Sequence, residues 1–183
     1  MSRTDRTAGD ELLLTTAGAG DGEAFAELVR RHQGWAWKIA YRFLGHRQEA
    51  EDVVQDAFLR LLAAARRYQP DSPFRTYFHR IVIRLCLDRA KKKKPLPLET
   101  MPEATDPRPA SVDELVRLET AAAVRAALAA LPEAQRMAVV LRYYDELNYQ
   151  EIAVTMETTP KAVERLLARG RDGLRKVLRA GTG

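Results

Sequence analysis

A single cysteine, Cys86, excludes any intrachain disulfide and suits a reducing compartment. No apolar run approaches the roughly 20 residues needed to cross a bilayer. The N-terminus lacks the charged-then-apolar order of a secretory signal, so the expectation is a cytoplasmic chain with no membrane insertion. His32, His46 and His79 are the only histidines and have no metal-ligand spacing; His79 and Cys86 can share one helix side, which is a poor zinc pair. There is no Gly-rich phosphate loop and no nucleophile beside a paired base, so a small helical enzyme is excluded and neither metal nor cofactor is expected. Strand-like alternation and internal repeats are absent as well. What remains is an all-α chain.

The apolar share of 46% is enough for real cores at this length, and the net charge of +5 favours a polyanionic partner. The charge is unevenly spread. Phe74 to Lys94 holds Arg75, Arg80, Arg84, Arg89 and Lys91 to Lys94 against Asp88 alone. Pro95 to Thr120 holds six carboxylates against Arg108 and Arg117. Five prolines fall between Pro95 and Ala110, which reads as a flexible linker between two small helical domains, residues 1–94 and 111–183.

Within the first domain, Glu11 to Thr16 predicts a short helix broken at Gly18 to Gly22. Glu23 to Leu44 predicts a long one, with Phe25, Leu28, His32, Trp35, Ile39 and Phe43 inward and Gly45 closing it. Glu49 to Arg67 follows, with Ala50, Val53, Val54, Ala57, Phe58, Leu61 and Leu62 inward. Its other side sets Asp52, Gln55, Asp56 and Leu59 at i, i+3, i+4 and i+7, either a solvated acidic face or a docking surface for a basic protein. The loop Tyr68 to Pro73 carries two prolines and the turn formers Asp71 and Ser72. Phe74 to Lys93 is the next helix, with Phe74, Phe78, Ile81 and Leu85 inward. Its outward stripe starts at Tyr77 and continues through Arg80, Arg84 and Lys91, either a plain solvated face or a surface that can grip phosphate and stack a base.

The second domain begins with helices over Ser111 to Ala130 and Glu133 to Tyr144, the latter with Met137, Val140, Leu141 and Tyr144 inward. Asn148 and Glu151 then form a capping box, and Ile152, Ala153 and Met156 supply a short apolar face. After the break at Glu157 to Thr159, Pro160 opens a longer helix. Val163, Leu166, Leu167, Gly170, Leu174, Val177 and Leu178 mark its buried face, opposite Lys161, Arg165, Ala168, Arg175 and Arg179. A short helix, a tight turn and a basic helix make either an ordinary helical hairpin with a solvated charged surface or a helix-turn-helix, whose second helix enters the major groove of DNA.

Five stretches carry a resemblance over almost the whole chain: Gly20 to His32, Ala50 to Leu62, Pro73 to Lys94, Leu131 to Ala153 and Leu166 to Leu178. In this order they resemble the blocks of the minimal bacterial sigma factors of the extracytoplasmic-function (ECF) group. The resemblance implies an alternative sigma factor that binds core RNA polymerase and directs promoter-specific initiation. Asp52, Gln55, Asp56 and Leu59 would meet the polymerase. Tyr68, Asp71, Ser72, Phe74, Arg75, Tyr77, Arg80, Arg84 and Lys91 would take the separated −10 strand. Thr159, Lys161, Glu164, Arg165 and Arg169 would read the −35 duplex. An anti-sigma factor covering these surfaces is implied as a further partner, and the acidic linker would run through the polymerase as a nucleic-acid mimic.

Two positions depart from the family pattern in the −10 helix: Tyr77 stands where tryptophan is common and Arg84 where asparagine is. The run Ala162 to Leu166 also departs in the recognition helix, so the family's −35 sequence preference does not transfer; Glu164, if it reaches the groove, favours a cytosine amino group. The competing reading is a free-standing helix-turn-helix regulator, which leaves Asp52 to Leu59 and the basic-aromatic helix unexplained.

Overall fold

The computed structural model describes residues 9–68, 73–92 and 112–180. Eight helices follow one another with no strand among these residues: α1 (Asp10–Gly18), α2 (Gly22–Leu44), α3 (Arg47–Ala65), α4 (Phe74–Lys92), α5 (Val112–Ala129), α6 (Glu133–Tyr143), α7 (Tyr149–Thr155) and α8 (Pro160–Ala180). Asp71, Ser72, Lys93, Lys94 and the expected linker at 95–110 lie outside the described residues.

Local chemistry sets the helix ends. The Asp21 carboxylate accepts from the Glu23 and Ala24 amides at 2.9 and 3.1 Å, capping α2. Gly45 ends α2 in the left-handed region at φ 75°, and its amide returns to the Tyr41 carbonyl at 2.8 Å. The first amide of α4, on Phe74, donates to Glu11 Oε1 of α1 at 2.8 Å, so the first helix caps the fourth. In the other half the capping box forms as expected: Asn148 accepts from Gln150 and Glu151, and Glu151 accepts from the Asn148 amide at 2.7 Å. Glu157 turns the chain at φ 52°, and Thr159 Oγ1 accepts from the Ala162 amide at 3.2 Å to start α8.

Helices α1 to α4 pack around an aromatic spine. Phe25 meets Phe58 edge-on at 6.3 Å, Phe58 meets Phe78 at 5.0 Å, and Phe74 stacks on Phe78 at 5.7 Å. Leu28, Ile39, Phe43, Val53 and Leu61 fill in around it, each fully buried; such side chains contribute about 1.5–3 kcal/mol apiece. Helix α1 crosses so close to the end of α3 that a Cβ on Gly18 would sit 2.4 Å from the Ala65 carbonyl oxygen. Backbone cannot yield as a flexible side chain can. Gly18→Ala is therefore expected to cost about 1–3 kcal/mol, read as a lower melting temperature with α1 losing amide-exchange protection first.

In the second half α8 lies against α5, α6 and α7, and Val163 and Leu167 are buried in the same core cluster as Met137, Val140, Leu141 and Ile152. The two halves are not separate. The buried apolar residues form one continuous core from Leu13 to Leu167, and α4 packs against α6 and α7 while α2 packs against α5 and α6.

That packing corrects several expected faces. Helix α4 has two buried sides, so His79, Val82, Ile83 and Cys86 are enclosed along with Phe74, Phe78 and Leu85, whereas Ile81 is only partly covered. Cys86 is a packing residue, its thiol pushed up to about 12 by burial. Leu62, Tyr144 and Leu178, expected inward, are 44%, 40% and 41% exposed. Leu62 lies a third of a turn off the Val53–Ala57–Leu61 line. The ring of Tyr144 is instead covered on one face by the Arg42 guanidinium, 4.3 Å from its centroid.

Candidate functional site

Three surfaces carry the residues singled out by sequence. The first is a cleft of about 670 Å³ between α2 and α3, walled by Phe25, Val29, Trp37, Val54 and Phe58. Gln55 and Leu59 stand on its rim, and Leu59 is 58% exposed, an apolar side chain held in water by its place on the helix. Trp37 is kept flat against Tyr41, ring centroids 5.0 Å apart. The four residues expected to act together are divided. Asp56 is exposed beside the cleft, while Asp52 points to α4 and is ion-paired with Arg89. The Gln48 amide, 3.2 Å away, and Arg89 together hold the Asp52 carboxyl below the usual carboxylate range.

The second surface is the basic side of α4. Tyr68 and Tyr77 pack on one another at 5.3 Å, both half-buried. Phe74, expected among the −10 residues, is in the core at 1% exposure, because it anchors the start of α4 to the aromatic spine. Arg80, expected on the outward stripe, is only partly exposed: its Nε donates to the Val154 carbonyl at 3.1 Å. Arg75 donates to Asp145 at 3.3 Å. Arg84 and Lys91 are exposed, and they line a small cleft of about 240 Å³ whose far wall is Thr155, Met156 and Glu157 at the end of α7.

Asp145, on the turn between α6 and α7, is the hub of this contact. Only 8% exposed, it accepts from Trp35 Nε1 at 2.7 Å and Arg75 at 3.3 Å, and its other oxygen lies 2.6 Å from His79 Nε2. The second ring nitrogen of His79 lies 2.6 Å from the Arg75 carbonyl. Burial alone would raise the Asp145 pKa; the hydrogen bond and charge of His79, the Trp35 N–H and the charge of Arg75 outweigh it and leave the carboxyl below its ordinary value. Sequence reasoning missed Trp35, His79 and Asp145 as a set. They lie 66 and 110 positions apart in the pairs that meet, and no local pattern marks them.

The third surface is the outer face of α8. Lys161, Glu164, Arg165 and Arg169 are all exposed there, and Thr159 is spent on the cap. Glu164 is held by Lys161 at 2.8 Å, which lowers the carboxyl and raises the ammonium. Arg171 on the inner side is anchored by the hydroxyls of Tyr143 and Tyr149, whose hydrogen bonds raise its pKa. Among the described residues there is no metal-holding group of His, Cys, Asp and Glu, and no helix is long and apolar enough to cross a membrane.

A groove in one half, a basic helix beside it and a helix-turn-helix in the other half match known proteins region by region. Residues 28–95 match the family described as Sigma-70 region 2, and residues 121–173 match Sigma-70, region 4. The chain belongs to the ECF sigma factors of RNA polymerase. It is 33% identical over 181 residues to the ECF sigma factor SigE of Mycolicibacterium smegmatis, covering 96% of this chain and 69% of that one. It is 32% identical to SigW of Bacillus subtilis, covering 87% and 91%. Among solved structures, CnrH in complex with the cytosolic domain of CnrY superposes with a TM-score of 0.71 at 28% identity, over 93% of this sigma factor and 97% of that chain.

As a sigma factor it binds core RNA polymerase and directs initiation at promoters; a free-standing helix-turn-helix regulator is not favoured. The region 2 match contains the α2–α3 cleft from Val29 onward and all of α4, and the region 4 match contains α7 and the start of α8.

Proposed function

We propose that the sigma factor docks on core polymerase through the α2–α3 cleft with Leu59, Gln55 and Asp56, takes the separated −10 strand along α4, and reads the −35 duplex with α8. Residues 1–94 and 111–183 act as the two promoter-binding units and 95–110 as the spacer between them. Nucleotide chemistry stays with the polymerase, in the cytoplasm. An anti-sigma factor is a partner of the same surfaces.

The observation that carries this reading is the pairing, in one chain, of an exposed apolar groove with two separate basic helix faces. On α4, Tyr77, Arg84, Lys91 and the tyrosine pair offer stacking worth about 1–3 kcal/mol per base, enough to offset an unstacking cost of a few kcal/mol. On α8, Lys161 and Arg165 stand one turn apart near the helix N-terminus, where backbone amides favour phosphate. The internal Lys161–Glu164 pair leaves Arg165 and Arg169 as the arginines best placed for guanine edges.

Run-off transcription with core polymerase and a promoter library tests the reading as a whole. Start-site selection that depends on added sigma factor is expected, and none on any template would refute it. Within that assay, Arg165→Ala is expected to reduce discrimination against a mutated −35 element by about 1–3 kcal/mol. A loss that is the same for every −35 sequence would make Arg165 a phosphate contact instead.

A further inference from the structure

Glycine inside a helix weakens it relative to alanine, so each one calls for a reason. Among the described residues most of those reasons are internal. A Cβ on Gly18 would run into the Ala65 carbonyl, one on Gly170 would come within 2.8 Å of Val139 Cγ2, and one on Gly173 within 2.5 Å of Leu131 Cδ2. Gly22 is the first residue of α2 and so lies outside the helix interior. Gly34 has no such reason. It sits well inside α2, it is exposed, and a Cβ there would meet nothing within 4 Å. Nor does its backbone require glycine, since the glycines at positive φ are Gly20 and Gly45. Taken alone, the fold would be better served by alanine.

Gly34 does have a place on the surface. It lines the α2 wall of the α2–α3 cleft, one turn before Trp37 and Lys38 and on the same face as they are. With no side chain at 34, helix backbone forms that part of the wall, and an incoming chain can approach it more closely than it could over any other residue. The apolar floor of the cleft lies beside it, and Gln33, Lys38 and Gln55 give the cleft polar edges. Closely packed apolar contact inside a polar rim is where interfaces gain most of their affinity.

We propose that Gly34 is a docking determinant of the α2–α3 cleft, kept bare so that a segment of core RNA polymerase can pack against the α2 backbone. The inference rests on the docking reading given above and adds to it a residue that no apolar or charge pattern marks. Stability and docking then pull in opposite directions at one position. Alanine or leucine at 34 firms α2, and the same side chain fills the space the polymerase takes.

The test uses the full chain with Gly34→Ala and Gly34→Leu, and with Gly22→Ala as a control outside the cleft. Melting temperature is followed by circular dichroism, and capture by equilibrium binding of labelled protein to core polymerase. Gly34→Ala is expected to raise the melting temperature by about 2–4 °C and to weaken capture by about fivefold or more. Gly34→Leu is expected to melt no lower than the parent and to weaken capture by about 100-fold, because overpacking grows with the side chain. Gly22→Ala is expected to leave capture unchanged. A lower melting temperature for Gly34→Ala would give the glycine a role within the fold and overturn the inference. Capture unchanged by both variants at 34 would overturn it too, and Leu59→Asp on the α3 wall then separates the two readings. Capture lost in Leu59→Asp keeps the cleft as the docking surface without Gly34; capture retained there as well removes the cleft itself.

Discussion

Leu59→Asp is expected to weaken capture of core polymerase by about 100-fold, with helix content and melting temperature unchanged. The side chain stands on the rim of the α2–α3 cleft, 58% exposed and bordered by Phe58 and Val54, so the free protein gains little from it. Surface changes of that kind usually alter stability by no more than about 0.5 kcal/mol. If the cleft docks on the polymerase as proposed, the same residue becomes an apolar anchor, where truncation alone costs about 2 kcal/mol or more. A carboxylate sealed into an apolar cleft without a partner adds a desolvation penalty, bringing the total to about 3 kcal/mol. Equilibrium binding of labelled protein to core polymerase measures it, and capture equal to the parent's would remove the cleft from the docking surface. Charge reversal is cleaner at Asp56 than at Asp52. Asp52→Lys would face Arg89 across the α3–α4 contact, so a loss of capture there would mix docking with packing.

Arg136→Ala is expected to lower stability by about 3 kcal/mol, or roughly 6–12 °C in melting temperature for a chain of this size. The guanidinium is half-buried where the halves meet. It donates to the Phe43 carbonyl at 3.0 Å, the Ala129 carbonyl at 2.8 Å and the Leu131 carbonyl at 3.1 Å. Phe43 is in the last turn of α2 and Ala129 ends α5, so these two are carbonyls that a helix leaves without partners and that carry the negative end of its dipole, while Leu131 lies in the turn just beyond α5. One planar fork thus answers two helix ends, and it also lies over the Phe43 ring at 5.4 Å. Burial draws its pKa down, with Glu133 acting in the opposite direction, and a guanidinium nonetheless stays charged. Arg136→Lys is expected to recover less than half of the loss, because an ammonium keeps the charge but not the fork. Thermal melts of the three proteins check this; a Lys variant as stable as the parent would reduce the role of Arg136 to charge alone.

Most of the fold was legible because helices are written locally. The capping box at Asn148 and Glu151, the glycine at the end of α2 and the proline at the start of α8 act within four residues of themselves, and each set an end where the sequence placed it. Inward faces were read in part in α2, where Leu28, Ile39 and Phe43 are buried as expected while Phe25, His32 and Trp35 are only partly covered. They were read poorly in α4, where a single stripe was expected and two sides are covered. Arg80 illustrates why. A stripe of arginines on an amphipathic helix looks solvated, and only the arrival of Val154 from another helix makes one of them a donor to backbone. Phe74 shows the converse: an aromatic at the edge of a predicted DNA surface belongs to the core because α1 and α2 close over it.

By itself the sequence determined the helices, the ends set by Gly45, Asn148 with Glu151, and Pro160, the two basic faces and the family, since all of these depend on residue types at short spacing. The tertiary structure alone decided that Asp52 answers Arg89, that Gln55 and Leu59 border a groove, and that Asp145 gathers Trp35, His79 and Arg75. Those contacts join residues tens to more than a hundred positions apart. No periodicity encodes them; they arise when packed helices bring complementary groups within hydrogen-bond distance, where an unpaired buried charge would be too costly to keep.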